Sequence, residues 1–186
     1  MNKQLIKLAE TTLLILEKRS WHSIKIDEVY NKTNINKINL QNKADDKRDL
    51  LRNINHYFDF KLRNISDSIE KSTRKDMIFE IIMMRFDILQ IYRKSIIKIF
   101  EFFKKKPQEL VFLLPSLIES MISMAGLAKI PVVGIKGNLK VKGLLVIYFS
   151  SFLVWAKDNS ESLEKTMTSL DNYLDRAGKL LSIIKI

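Results

Sequence analysis

The chain has 186 residues, of which 46% are hydrophobic, so it is long enough for one domain or for a small domain attached to a larger one. Its 5 Gly and 3 Pro predict a mostly helical, all-α protein, and the absence of Cys excludes disulfides and thiolate metal sites. The net charge of +11 indicates an anionic partner, either nucleic acid or a membrane surface, or else a chain-wide drift toward Lys, Ile and Asn.

Residues 1–46 predict three short helices. Apolar residues recur at helical spacing over 3–19 and again over 25–32. The Asn-rich stretch that follows predicts a turn, in which Asn34 tolerates a left-handed backbone. Asn36 is an N-cap for a third helix that ends near Lys43. We therefore expect a helix-turn-helix head over residues 1–46.

Residues 47–186 predict a larger helical body, for a total of about nine helices. Asp45 or Asp46 caps the first helix of the body, and Pro107 begins another. The remaining predicted helices cover 74–92, 93–105, 107–127, 138–157 and 160–184, with Ser160 as the N-cap of the last. The stretch "GLAKIPVVGIKGNLKVKG", residues 126–143, predicts the main loop.

The sequence predicts neither a secreted nor a membrane-spanning protein. The longest apolar stretch, Leu144–Ala156, is shorter than the roughly 20 residues that a transmembrane helix needs. The N-terminus lacks the small-residue cleavage site of a signal peptide. We therefore expect a cytoplasmic protein without a transmembrane segment.

Nothing in the sequence argues for catalysis. The two His, His22 and His56, lack the spacing of metal ligands, and there is neither a Gly-x-Ser-x-Gly turn nor a phosphate-binding glycine loop. We expect a protein that is not an enzyme and uses no cofactor or metal.

The stretch "SIKIDEVYNKTNINKINLQNKADDKRDLL", residues 23–51, resembles the N-terminal head of TetR-type transcription regulators. The matching positions are Ile26, Glu28 and Val29 in the first helix, Asn34, Ile35 and Asn36 at the turn, Leu40 in the recognition helix, and Lys47, Leu50 and Leu51 beyond it. The chain departs from that pattern at Ile38, Gln41, Lys43 and Ala44, where the family has a small residue and then aromatic residues.

The resemblance implies DNA binding through the third helix, placed in the major groove. Asn and Gln can pair with adenine, and Lys can reach guanine or phosphate. Residues 31–44 hold three Lys and no acid, which fits a DNA-binding surface, although an exposed polar helix face has the same composition. The predicted DNA-binding residues are Lys25, Asn36, Lys37, Asn39, Gln41, Asn42, Lys43 and Lys47.

The body is similar to the ligand-binding and dimerising part of the same family. That similarity implies a homodimer through residues 144–156 and 163–181, which would bind two half-sites of a palindromic operator. Met and aromatic side chains commonly line apolar ligand sites, although most of them fill cores. The predicted pocket for a small apolar ligand consists of Met83, Phe86, Phe100, Met121, Met124 and Trp155.

Two alternatives give the protein a lipid partner. Residues 139–177 resemble the closing helices of the TetR-shaped, lipid-binding accessory proteins of ubiquinone (coenzyme Q) biosynthesis, through Trp155, Asp158, Ser160, Thr166, Leu170 and Asp171. That resemblance implies a lipid or isoprenoid ligand and a head that no longer binds DNA. The other alternative is a peripheral membrane protein that binds anionic lipid through Lys104–Lys106 and Lys136–Lys142.

Overall fold

The structure is a computed structural model that describes residues 1–36, 40, 44–66 and 72–183, the last four of them by backbone only. These residues form α-helices and one 3-10 turn, and no β-strand occurs among them, which confirms the all-α prediction. The helices are α1 (Lys3–Lys18), α2 (Ile26–Thr33), α3 (Lys47–Ile65), α4 (Arg74–Ile91), α5 (Arg93–Lys105), α6 (Pro107–Leu127), α7 (Gly134–Trp155) and α8 (Glu164–Ile183).

The predicted helices of the first half of the chain are confirmed where they are described. The α1 and α2 helices fall within a residue or two of their predicted bounds, and α6 begins at Pro107 as expected. The buried apolar residues of α3 are Leu50, Leu51, Ile54, Tyr57, Phe58 and Leu62. The predicted third helix lies largely on residues 37–39 and 41–43, outside the described part of the chain.

Two bounds in the second half were predicted wrongly. The loop expected over 126–143 is only Ala128–Val133, because α7 begins at Gly134 and runs through Gly137 and Gly143. Ser160 is not the residue that precedes α8, because Leu163 adopts a left-handed backbone (φ 53°) and the helix begins at Glu164. Ser160 still accepts the Glu164 N–H at 3.2 Å through its Oγ.

The chain packs as two compact units, of which the first consists of Met1–Lys61 and Ile88–Leu117. In it α1 lies against α2 and α5. The Ser95 hydroxyl donates to the Leu13 carbonyl at 2.6 Å, and the Tyr57 hydroxyl donates to Glu10 at 2.7 Å. Burial and the hydrogen bonds to Tyr92 and Glu10 raise the pKa of Tyr57 far above its ordinary range. This unit holds the whole described part of the head.

The second unit consists of Leu62–Asp87 and Ile118–Ile186. In it α7 packs along α8, and Lys75 of α4 forms ion pairs with Asp171 and Asp175 of α8 at 2.7 and 2.6 Å. The units are defined by packing, so the predicted functional division into a head over 1–46 and a body over 47–186 stays a prediction.

Two helices among the described residues, α6 and α7, are long and apolar enough to cross a bilayer by length and composition alone. Only 33% of the most apolar 18-residue window of α6 and 28% of that of α7 are buried within the protein. Among the described residues, much of the apolar surface of these helices is therefore left uncovered. The absence of a transmembrane segment stays a prediction.

Candidate nucleic-acid interface

The turn after α2 has the geometry that a helix-turn-helix requires. Asn34 follows Thr33, the last residue of α2, with φ 52° and ψ 33°, and its N–H donates to the Asn31 carbonyl at 3.4 Å. Asn tolerates this left-handed conformation better than most residues with a Cβ. The left-handed turn that the Asn-rich stretch predicted is therefore present at Asn34.

A charged cluster fixes the start of α2 against the end of α1. The Arg19 guanidinium donates to both carboxylate oxygens of Glu28 at 2.7 Å and to the Ser23 carbonyl at 2.6 Å. Burial raises the pKa of Glu28, but hydrogen bonds from Arg19 and Lys32 outweigh it and hold that pKa below its usual value. Glu28 thus has a structural role in the head.

The predicted third helix and the residue after it, 36–44, are called the recognition segment below. A buried hydrogen bond holds the C-terminal end of this segment against α2. Tyr30 of α2 donates through its hydroxyl to the Ala44 carbonyl at 2.7 Å, and both residues are buried. Leu40 is also buried, and its carbonyl accepts the Ala44 N–H at 3.2 Å. The resemblance implies an aromatic residue at position 44, where this chain has Ala44. Here the aromatic side chain comes from Tyr30 of α2, which contacts the backbone at that position.

The start of α3 is closed by a reciprocal cap. Asp46 accepts the Asp49 N–H at 2.9 Å, and the Asp49 carboxylate accepts the Asp46 N–H at 3.2 Å. Two backbone donors that the helix leaves unpaired are thereby satisfied. Of the two predicted capping residues, Asp46 is the one that caps α3.

Lys47 lies in the first turn of α3, half-buried against the 3-10 turn Trp21–Ser23. Its ammonium donates to the His22 carbonyl at 3.0 Å and lies 4.9 Å from the centre of the Trp21 ring. Burial and the nearby positive charge of Lys106 lower its pKa. Lys106 is exposed and was not among the predicted DNA-binding residues, because it is 59 positions from Lys47 in the sequence.

Arg48 makes a second long-range contact that the sequence did not indicate. Its guanidinium donates to both carboxylate oxygens of Glu109 at 3.0 and 3.2 Å and stacks 3.5 Å from the centre of the Phe112 ring. The contact joins the first turn of α3 to the first turns of α6 within the same compact unit. It links α3, the helix that follows the predicted recognition helix, to α6.

The predicted DNA-binding residues divide into two groups. Lys25 and Asn36 are exposed at the two ends of α2 and its turn, and Lys47 is half-buried at the start of α3. The other five, Lys37, Asn39, Gln41, Asn42 and Lys43, lie outside the described residues. Within residues 36–44, the structure therefore describes only Asn36, Leu40 and Ala44.

A solved structure has the same architecture over nearly the whole chain. The TetR transcriptional regulator from Nitrosomonas europaea ATCC 19718 matches with a TM-score of 0.72 and 15% identity, covering 95% of this chain and 99% of that one. The fold is TetR-like. No protein-family model matches the chain. No curated protein matches it in sequence.

In this TetR-like fold, five of the six predicted pocket residues are buried in the second unit: Met83, Phe86, Met121, Met124 and Trp155. Phe86 stacks on Trp155 with ring centres 6.2 Å apart, so these two rings pack on each other. Phe100 belongs to the first unit, where the Lys104 ammonium lies 5.3 Å from the centre of its ring. The predicted pocket as a whole stays a prediction.

A surface pocket of about 380 Å³ lies elsewhere, beside the junction of α7 and α8. Ser150, Leu153, Val154, Lys157, Asp158, Lys165 and Tyr173 line it, and none of them is among the six predicted pocket residues. Among the described residues, no group of three or more His, Asp or Glu could hold a metal ion.

The α7–α8 junction accounts for most of the residues behind the ubiquinone resemblance. The buried Asp158 carboxylate accepts hydrogen bonds from the N–H and hydroxyl of Ser160 at 3.1 and 2.6 Å, and of Thr166 at 2.9 and 2.9 Å. Burial raises the pKa of Asp158, but these hydrogen bonds hold it well below its usual range. Trp155 and Leu170 are core residues. These residues therefore have local structural roles, and the lipid-binding function that the resemblance implied stays a prediction.

Proposed function

We propose that this protein is a TetR-type DNA-binding transcription regulator that acts as a homodimer on a palindromic operator. The single observation that carries the proposal is the TetR-like fold over 95% of the chain. The described head supports it, since α2 and the left-handed Asn34 fit the first helix and the turn of a helix-turn-helix.

The DNA contacts are proposed in two classes. Lys37 and Asn39, on the recognition segment, would contact base edges in the major groove. Lys25, Lys47 and Lys106 would contact phosphates on either side of that segment. Because phosphate contacts release counterions, each such lysine should add about one unit to the slope of log affinity against log salt concentration.

Dimerisation is proposed through α7 and α8. Val146, Leu153 and Met167 are large apolar side chains that remain exposed on these two helices. Val146 and Leu153 are two helical turns apart, which places them on one side of α7. A second copy packed on this side would cover them in a four-helix interface and bring two heads to one operator.

Regulation by a small apolar ligand completes the proposal. The second unit is rich in Met and aromatic side chains, which can adapt to an apolar guest. The α6 helix carries Glu109, the partner of Arg48, and further along it Met121 and Met124. A ligand beside those Met residues would shift α6, and through Glu109 it would bias the position of α3 and the head.

The test is enrichment of genomic DNA fragments on the purified protein, followed by a salt titration with each enriched fragment. Lys37→Ala with Asn39→Ala should abolish specific binding and leave thermal unfolding unchanged. The matched control is Lys94→Ala with Asn64→Ala, which removes the same two residue types from exposed positions in α5 and α3. Absence of fragment enrichment, or equal loss in both double variants, would refute the proposed reading segment.

The same titration distinguishes sequence-specific DNA binding from general electrostatic attraction to DNA. Lys25→Ala should weaken binding to all fragments alike and lower the salt slope by about one. If the wild-type affinity does not depend on salt, no phosphates are contacted and the regulator proposal is wrong.

A further inference from the structure

We propose that the connection between α6 and α7 docks on the surface of an anionic lipid bilayer. This surface, residues 129–136, is called the α6–α7 tip below. Its apolar content is conspicuous: Val133 is 89% exposed and Ile135 90% exposed, the highest values of any large apolar side chain in the described chain. Two fully exposed aliphatic side chains at one tip indicate that an apolar partner covers them.

The charge around the tip selects the partner. Residues 120–143 contain four lysines, Lys129, Lys136, Lys140 and Lys142, and no Asp, Glu or Arg. A second copy of the same surface would repel this charge. A nucleic acid would attract the lysines but would leave Val133 and Ile135 without an apolar partner. An anionic bilayer satisfies both, because its headgroups attract lysines and its acyl boundary accepts aliphatic side chains.

The tip is a built structure that holds these side chains outward. The N–H of Lys129 donates to the Gly126 carbonyl at 3.0 Å, and that of Ile130 donates to the Ala125 carbonyl at 2.8 Å, which together form a Schellman motif that ends α6. On the other side, a Cβ at Gly137 would lie 2.0 Å from the Val132 carbonyl carbon, so the loop backbone rests directly on α7. These contacts fix the backbone on either side of Val133 and Ile135, whose side chains are exposed.

The first turn of α7 offers a further match to a lipid headgroup. Val133 is its N-cap residue and provides no side-chain hydrogen bond to the backbone N–H groups of the turn. A helix N-terminus of this kind attracts anions, because its N–H groups and the helix dipole both favour negative charge. A lipid phosphate at the depth of Val133 would meet these N–H groups, and Lys136 lies in the same turn of the helix.

Binding to vesicles tests the proposal directly. The full chain should sediment with vesicles of phosphatidylcholine and phosphatidylglycerol but not with phosphatidylcholine alone, and the binding should weaken as salt screens the lysines. Because each lysine near an anionic surface contributes a factor of about five, Lys136→Gln with Lys140→Gln should lower binding about 25-fold. The matched control, Lys7→Gln with Lys94→Gln, should retain it.

The apolar contribution needs its own variant. Val133→Ser with Ile135→Ser should lower vesicle binding by about tenfold or more, since both side chains leave water when the tip inserts. These positions are exposed, so the fold should be unaffected. The control is Ile91→Ser, at the next most exposed large apolar position, which lies at the end of α4 in the chain.

A tryptophan added at the tip reports insertion. Trp21 and Trp155 are both buried, so Val133→Trp adds an exposed fluorophore whose emission should shift to the blue with anionic vesicles only. Ile91→Trp should not shift. Three results would overturn the proposal: equal binding to neutral and anionic vesicles, a change of oligomeric state in Val133→Ser with Ile135→Ser, or a loss of DNA binding but not vesicle binding in Lys136→Gln with Lys140→Gln.

Discussion

Replacing Tyr30 by Phe removes one oxygen atom and tests how the head is held together. The Tyr30 side chain is 5% exposed, and its hydroxyl is 2.7 Å from the Ala44 carbonyl, which is buried as well. The change leaves the ring in place, so packing is retained while a buried carbonyl loses this partner. A bond of this kind contributes about 1 to 2 kcal/mol when one partner is removed. For a chain of this length the unfolding temperature should fall by about 3 to 6 °C.

Two assays follow from the position of Ala44 at the end of the proposed reading segment. Urea unfolding followed by circular dichroism measures the loss of stability. Operator affinity should fall by up to about tenfold, because part of the binding energy must then reorder the segment. Tyr173→Phe is the matched control, since Tyr173 is a half-exposed tyrosine of α8. Equal stability of the two variants would refute the role of the hydrogen bond, and a loss of stability with unchanged operator affinity would refute the role of the segment in reading DNA.

Three further predictions concern the body. Asp158→Asn should lower the free energy of unfolding by about 2 to 4 kcal/mol at pH 7, because the carboxylate accepts from Thr166 in a buried site. Since the folded-state pKa of Asp158 is lowered, its contribution is present above the unfolded pKa near 3.9, and the difference between variant and wild type should shrink as the pH falls below about 4. Lys129→Gly should raise stability by about 0.5 to 1 kcal/mol in thermal unfolding, since Lys129 has φ 55°, and a loss would contradict the left-handed assignment. A double-mutant cycle on Arg48 and Glu109 should give a coupling energy of only about 0.2 to 1 kcal/mol, because the pair is partly exposed, whereas either single variant should weaken the effect of ligand on operator affinity.

The sequence predicted the features that depend on near neighbours in the chain. The helices α1 and α2 follow from apolar spacing, and the start of α6 follows from Pro107, which suits a first helical turn. The left-handed backbone of Asn34 follows from the side chain itself, which tolerates that conformation. Each of these depends on chemistry within one or two helical turns.

Features that depend on distant partners were not predictable in the same way. Nothing near Arg48 in the sequence points to Glu109, which is 61 positions away, and nothing near Lys47 points to Lys106. The loop before α7 was predicted too long because its glycines were interpreted as breakers. Gly137 is a helical residue whose missing side chain makes room for Val132, a reason that appears only once the two segments are together.

The contact between Gly137 and Val132 also yields a rule for recognising relatives of this protein. A chain with a six-residue connection of this shape cannot carry any larger residue at position 137, because even a methyl group there would overlap the Val132 carbonyl. Homologues that keep the length of the connection should therefore keep this glycine, and those that lose the glycine should also have changed the loop. At the 15% identity seen with the Nitrosomonas europaea regulator, such a coupled change of residue and loop length helps to align two chains of this fold.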